Sequence, residues 1–309
     1  MKKWVLKAVI QKTISYLPKG QHINFLFQKH VTKGVRLTNE YLDDKMKMAG
    51  LHHKTAARFK LPPGHNAFEI GTGWYPIIPF TFFLTGSSKI ITMDTARLMN
   101  RENFLTTLDT IIENIENPVI TDNVPSIKPD KIEKLKHLQE NAQNMSLDQM
   151  LDYCNIEYIV GDARDTGFQE NSVDFIISNN TFEHIYPQIL TDILKEFRRI
   201  NKNDGAMSHF IDMSDHFAHL DSSINIYNFL RFSDKQWNFI DNSIQPQNRL
   251  RINQYREMIE NSGFKIEEEN NREGNMEELK KLKIASPFSD MPEEEVAISH
   301  SHLLIKPSG

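Results

Sequence analysis

One cysteine, Cys154, in 309 residues excludes an intrachain disulfide. That scarcity suits a reducing compartment, and the lone thiol reads as a packed, inert group and not a nucleophile. No apolar run reaches the length of a membrane-spanning helix. The opening MKKWVLKAVIQK has a lysine inside its apolar part and no small-residue cleavage pattern, so it does not read as a signal peptide. The expected location is the cytoplasm. No internal repeat is visible. Outside the first 60 residues there is no basic groove interleaved with aromatics, which argues against nucleic acid as a partner. What is present, 309 residues of which 39% are hydrophobic, is enough for one large α/β domain with additions, or two small domains.

Basic charge is scarce after residue 60. Residues 1–60 carry 13 Lys and Arg against 3 Asp and Glu; the rest of the chain carries 23 against 38. The first segment therefore faces something acidic. Leu6, Val9, Ile10, Ile14 and Leu17 share a helical face, with Lys12 and Lys19 opposite and Trp4 near the start. Such a helix packs on the acidic body of its own chain; a peripheral contact of residues 1–20 with an anionic membrane, at its inner face, is the alternative. More helix is expected from about Arg36 to Lys60, and Leu61-Pro62-Pro63-Gly64 is a linker.

The central stretch, NAFEIGTGWYPIIPFTFFLTGSSKIITMD, runs from Asn66 to Asp94. Ala67–Ile70 is a short buried strand, Gly71 and Gly73 make a turn open to close ligand approach, and Ile77 to Leu84 is an apolar helix stopped by Gly86. Lys89–Met93 is a second strand. Asp94 follows it, 23 positions past Gly71, where a nucleotide-binding unit places the carboxylate that accepts ribose hydroxyls. Two further absences narrow the ligand. A dinucleotide fingerprint needs a third glycine at position 76, where Pro76 stands, and no phosphate-loop lysine follows. Glu69, two residues before Gly71, suits a cation.

Acid-x-G-x-G followed by an acid after the second strand resembles motif I of the class I S-adenosylmethionine (SAM)-dependent methyltransferases. Tyr75 replaces the usual fifth-position glycine. The resemblance implies an α/β, Rossmann-like, seven-stranded, mostly parallel sheet with an antiparallel last strand and helices on both faces. It implies SAM held by Glu69, Gly71, Thr72, Gly73 and Asp94, and N-terminal helices (residues 1–60) acting as a lid on a domain spanning 61–309. It extends down the chain. Ile156–Val160 is a strand, after which Asp162 and the N–H of Ala163 would meet the adenine. Phe168 to Asp174 leads into a fourth strand, Phe175–Ser178, with Asn179 at the crevice. Phe182-Glu183-His184 matches the family's L-E-H, so His184 faces the acceptor or caps a helix. Leu190–Ile200 is an amphipathic helix, Asn201–Gly205 a turn, and Ala206–Ile211 strand five. Strand six is expected at Phe264–Glu268 and the antiparallel strand at Ser299–Lys306. The mainly helical stretch at about 100–154 is an insertion serving specificity or subunit contact.

Strand five ends in HFIDMSDHFAH, with His209, Asp212, Asp215, His216 and His219 where an acceptor would enter. Imidazole and carboxylate are the groups to deprotonate an attacking hydroxyl; a divalent metal is the lesser alternative, and a polar loop satisfying its own backbone is the plain one. His216 or His209 is the expected base, with Asp212 or Asp215 orienting it. Arg231, Trp237 and Arg249 are expected at the acceptor. D-H-F, N-F-L-R-F-S and N-R-L-R together resemble a bacterial subgroup associated with cell-surface polysaccharide assembly. That makes a glycan or small molecule the acceptor, and a sugar hydroxyl the methylated group. The alternatives are a non-catalytic interaction module on the same fold and a dinucleotide-dependent oxidoreductase.

Overall fold

The computed structural model describes residues 2–17, 20, 23 and 36–308. Among them, β1 (Ala67–Ile70), β2 (Ile90–Asp94), β3 (Ile156–Val160), β4 (Val173–Asn179) and β5 (Asn201–Asp212) pair in parallel. β7 (His300–Pro307) lies antiparallel between β5 and β6 (Phe264–Arg272), giving the order β3-β2-β1-β4-β5-β7-β6. The expected seven-stranded sheet with an antiparallel last strand is thus present. β5 begins earlier than expected: Asn201–Gly205 is strand and not turn, because Asn201 pairs with Val173 across a bulge and Lys202 Nζ reaches Asp174 at 2.6 Å.

Alternate residues of the strands feed two cores. Phe175, Ile177 and Ala206 face one; Ile176, Met207 and Ile211 face the other. The first face is covered by α2 (Asn39–Arg58) and α3 (Ile77–Thr85), and then by the insertion: α4 (Arg101–Glu113), α5 (Pro118–Thr121), α6 (Pro129–Asn141) and α7 (Leu147–Tyr153). α3 starts after Pro76 and is buried from Ile77 to Leu84; Gly86, at φ 91°, closes it in the left-handed conformation that glycine tolerates. α2 begins at Thr38, whose hydroxyl accepts the Tyr41 N–H at 3.2 Å. Its Leu42, Met46 and Ala49 share a core with Phe80 and Phe104, so the expected boundary at residue 60 does not separate two cores. Cys154 lies in the same core, and burial pushes its thiol up to about 12, which makes it inert. The second face is covered by α8 (Pro187–Ile200) and α10 (Ile252–Asn261).

A third core gathers the segments beyond the sheet's carboxyl edge. Phe217, Tyr227, Phe229, Leu230, Trp237, Phe288 and Val296 pack together, around α9 (Asp234–Ile240), α11 (Met276–Lys280) and α12 (Glu293–Ala297). The N-terminal helix α1 (Lys3–Ser15) docks here. Trp4 packs 6.0 Å from both Phe217 and Phe232, and the Trp4 N–H donates to Asp221 at 3.1 Å. Lys12 caps the end of α9 through the carbonyls of Asn238 and Asp241, at 3.0 and 2.6 Å. The buried face is Ala8, Gln11 and Ile14, whereas Leu6, Val9 and Leu17 are exposed, because Trp4 and Lys12 set the rotation of the helix. Lys19 lies outside the described residues. No described helix is long and apolar enough to cross a membrane.

Arg251 ties this third core to the sheet. It is wholly buried, and its guanidinium donates to the carbonyls of Met213 (2.6 Å), Val296 (2.8 Å) and Ile298. Burial draws its pKa down to about 10, so it stays charged. Arg251→Met strands three buried carbonyls. It should destabilise the fold by about 3–5 kcal/mol in urea unfolding; a loss below about 1 kcal/mol would show that Arg251 does not hold the junction.

Candidate active site

The parallel strands deliver three chain segments to one edge of the sheet. Ile70 pairs with Ser178 and Ser178 with His209, so the carboxyl ends of β1, β4 and β5 stand side by side. Ligands of open α/β sheets bind outside such ends. After β1 comes the glycine turn, with φ of 82° at Gly71 and 74° at Gly73. A Cβ at Gly73 would meet nothing within 4 Å, so the turn opens onto free space.

Two buried acids face that turn. The Gly73 N–H donates to Asp94 at 3.2 Å, and Thr92 donates to Glu69 at 3.1 Å. Burial lifts Glu69 from 4.5 to about 7. Burial and then the charge of Glu69 lift Asp94 from 3.8 to about 7. Thr72 adjoins Glu69, and Lys45 of α2 attracts it from a distance. This unbalanced negative pair fits a cationic ligand bearing hydroxyls, as SAM does. α2 closes over the turn, Tyr41 lying 6.1 Å from Tyr75, the residue in place of the fifth-position glycine. Lys45, whose Nζ stands 5.6 Å over the Tyr41 ring, was not singled out in the sequence, since nothing in its surroundings distinguishes it from the other lysines of the basic segment.

The remaining expected cofactor contacts are placed less simply. Asp162 is half exposed and gripped by Arg164, with Nε 2.9 Å and Nη2 2.5 Å from Oδ2; Ala163 beside it is buried. Asn179 is buried at the end of β4. Its Oδ1 accepts from His52 Nε2 at 2.9 Å, while His52 Nδ1 lies 2.7 Å from the Ser208 hydroxyl. His52 is a second residue the sequence did not flag.

The histidine cluster divides. His209 is fully buried, its ring stacked 4.3 Å from Phe182 and its Nδ1 on Ser178 at 2.8 Å; burial lowers it to about 3. Its side chain lies on the α8 face of the sheet, against Phe182 and Phe197. Asp215 is fully buried too and accepts from the Phe217 N–H at 2.8 Å and the Asn228 amide at 3.1 Å, holding the loop. His216 and Asp212 do meet, Nε2 standing 3.3 Å from Oδ2. Burial opposes the charge on Asp212, but His216, His300 (3.4 Å away) and the Ser214 N–H (2.8 Å) outweigh it and hold the carboxyl well below its usual range. His184 follows β4 and packs edge-on to His216 with centroids 4.9 Å apart, and His219 stacks on His216 at 5.5 Å.

The expected acceptor residues mostly serve packing. Arg249 is 5% exposed and donates through Nη1 to the carbonyls of Phe229 (3.0 Å) and Phe232 (2.5 Å) and through Nη2 to Asp234 (2.6 Å), so three of its five N–H donors hold the loop. Trp237 is buried against it and donates to the Gln247 carbonyl at 3.0 Å. As placed, both side chains support the loop. Arg231 is exposed.

The raised acids predict a pH dependence. Glu69 and Asp94 keep their protons to higher pH in the folded chain than in the unfolded one, so stability falls as pH rises from about 4 towards 7 and levels off beyond. Thermal melts of ligand-free protein between pH 4.5 and 8 should show this fall, and Glu69→Gln should flatten it. Affinity for a cationic ligand should move the opposite way, rising over the same range.

Residues 127–208 match the family model described as a methyltransferase domain. No curated protein matches the sequence. Similar solved structures include the PH0226 protein from Pyrococcus horikoshii OT3, 13% identical, with 92% of this chain and 98% of that one covered and a TM-score of 0.48. A chain of the complex containing the Haloferax volcanii Trm112 methyltransferase activator is 14% identical, with 86% and 93% covered and a TM-score of 0.45. The CurJ carbon methyltransferase is 15% identical, with 91% and 59% covered and a TM-score of 0.44. The segment that resembles a methyltransferase domain takes in β3, β4, α8 and the start of β5, and the glycine turn after β1 lies outside it.

Proposed function

We propose that the chain transfers a methyl group from SAM to a hydroxyl of a small acceptor, a sugar of a surface-glycan precursor being the class its motifs favour. The observation that carries this reading is the meeting, on one sheet edge, of the acidic turn after β1 with the His184–Asp212–His216 group after β4 and β5. SAM supplies an electrophilic methyl carbon on a cationic sulfur. The chain supplies the rest. Glu69 and Asp94 offer negative charge, Gly71 to Gly73 offer close backbone approach, and Asp94 accepts the ribose hydroxyls. Asp162 and the Ala163 N–H receive the adenine once the Arg164 grip opens. His216 takes the acceptor proton while Asp212 orients the ring and stabilises the imidazolium. His209, which lies within the core, has no part in proton transfer. Arg231, exposed and held only by a long 3.5 Å bond to Asn228, meets an acceptor phosphate. The glycan acceptor rests on the D-H-F, N-F-L-R-F-S and N-R-L-R motifs.

Two measurements test the reading. Asp94→Ala removes ribose hydrogen bonds worth about 1–3 kcal/mol each, so SAM affinity by calorimetry should drop at least about tenfold. Unchanged affinity, or tighter binding of NAD than of SAM by the wild-type chain, would overturn the cofactor assignment. A folded chain that binds neither would be an interaction module. His216→Ala should lower turnover about 10²–10⁴-fold on a matched sugar acceptor with SAM affinity kept; near-full turnover would make the cluster structural.

A further inference from the structure

Glu183 has no place in the mechanism above. It follows β4 in a short 3-10 turn, Phe182–His184, and is 3% exposed. Neither carboxyl oxygen has a hydrogen-bond partner; the amides of Glu183 itself and of Asp212 face the group without closing a bond, and Lys45 attracts it only from a distance. A buried carboxylate so placed is costly unless a cation completes it.

The next residue is arranged to help. His184 Nδ1 stands 2.6 Å from the Pro246 carbonyl. A carbonyl oxygen can only accept, so Nδ1 carries the hydrogen and Nε2 keeps a free lone pair. Metal-binding histidines are commonly oriented by such a bond. The ring of His216 packs edge-on against His184, braced by Asp212. One oxygen of Glu183 and one ring nitrogen each of His184 and His216 all lie within 4.8 Å of one another. Two ligands about 2.1 Å from a shared ion stand no more than about 4.2 Å apart, so shifts under about 1 Å bring the set into bonding range.

We propose that Glu183, His184 and His216 bind one divalent transition-metal ion. Two imidazoles and a carboxylate suit zinc, cobalt, manganese or ferrous iron, and three protein ligands leave positions open for an acceptor oxygen. The inference rests on the methyl-transfer reading only for the use of the ion. An ion here makes an acceptor hydroxyl acidic enough to lose its proton to water, relieving His216 of the role of base.

The test uses the full-length, tag-free chain after treatment with a chelator. Zn²⁺ and Co²⁺ are titrated by calorimetry, and the visible absorption of bound Co²⁺ is recorded. Wild type should take up one ion per chain. Glu183→Gln, which keeps the shape of the side chain, should weaken binding at least about 10–100-fold. If that variant does not fold by circular dichroism, His216→Asn takes its place with the same expectation. Asp94→Ala should bind the ion normally while losing SAM. No stoichiometric uptake by wild type, or equal affinity in wild type and the folded ligand variant, overturns the site. Ion uptake by a wild-type chain that fails to bind SAM would leave the metal site standing and remove the methyl-transfer reading.

Discussion

Parallel pairing of β1 with β4 is the interaction on which the site depends. It brings the turn after Ile70 against the segment after Ser178. The approach is so close that a Cβ on Gly71 would lie 2.3 Å from the Thr181 hydroxyl, and the φ of 82° there is one that side-chain-bearing residues avoid. Thr181 in turn donates to the Ile70 and Asn179 carbonyls, at 3.3 and 3.0 Å, joining the two strand ends. From this seam the register carries outward. β2 places Asp94 on one side, and β5 places Asp212 and its loop on the other.

The edge so formed is electrostatically unbalanced. Glu69, Asp94 and Glu183 are all buried, and burial raises the pKa of each. Among the described residues Lys45 acts on Glu69 and Glu183 from α2, without a hydrogen bond to Glu183. A core built for stability alone would replace such groups with apolar ones. Positive charge supplied from outside the chain would offset the cost of burying them, which is the premise of both proposals above.

The motifs most reminiscent of a glycan-modifying subgroup serve one another before they serve an acceptor. Asp215 of D-H-F accepts from Asn228 of N-F-L-R-F-S, while Arg249 of N-R-L-R binds the carbonyls of Phe229 and Phe232. Arg251 then ties the assembly to Met213 at the end of β5. These residues form a scaffold that holds His216 beside Asp212.

The order and type of the sheet elements were legible in the chain, because apolar periodicity, the glycine turn and its prolines are local signals. So was the grouping of Glu69, Gly71, Gly73 and Asp94, which belong to one strand–turn–helix–strand unit whose spacing is covalent. The acceptor side was legible only as a composition of histidines and aspartates. Which of them face the crevice follows from strand alternation: His209 lies on the α8 face, and His216 lies in the loop beyond β5. Arg249 and Arg231 are equally cationic on paper, yet one is enclosed by carbonyls and the other is exposed. The sequence by itself determined the strand–turn–helix–strand unit from β1 to β2, because its residues are neighbours along the chain. Only the tertiary structure decided the company of Glu183, His184 and His216, because two separate strand ends had to be laid side by side before those groups could meet.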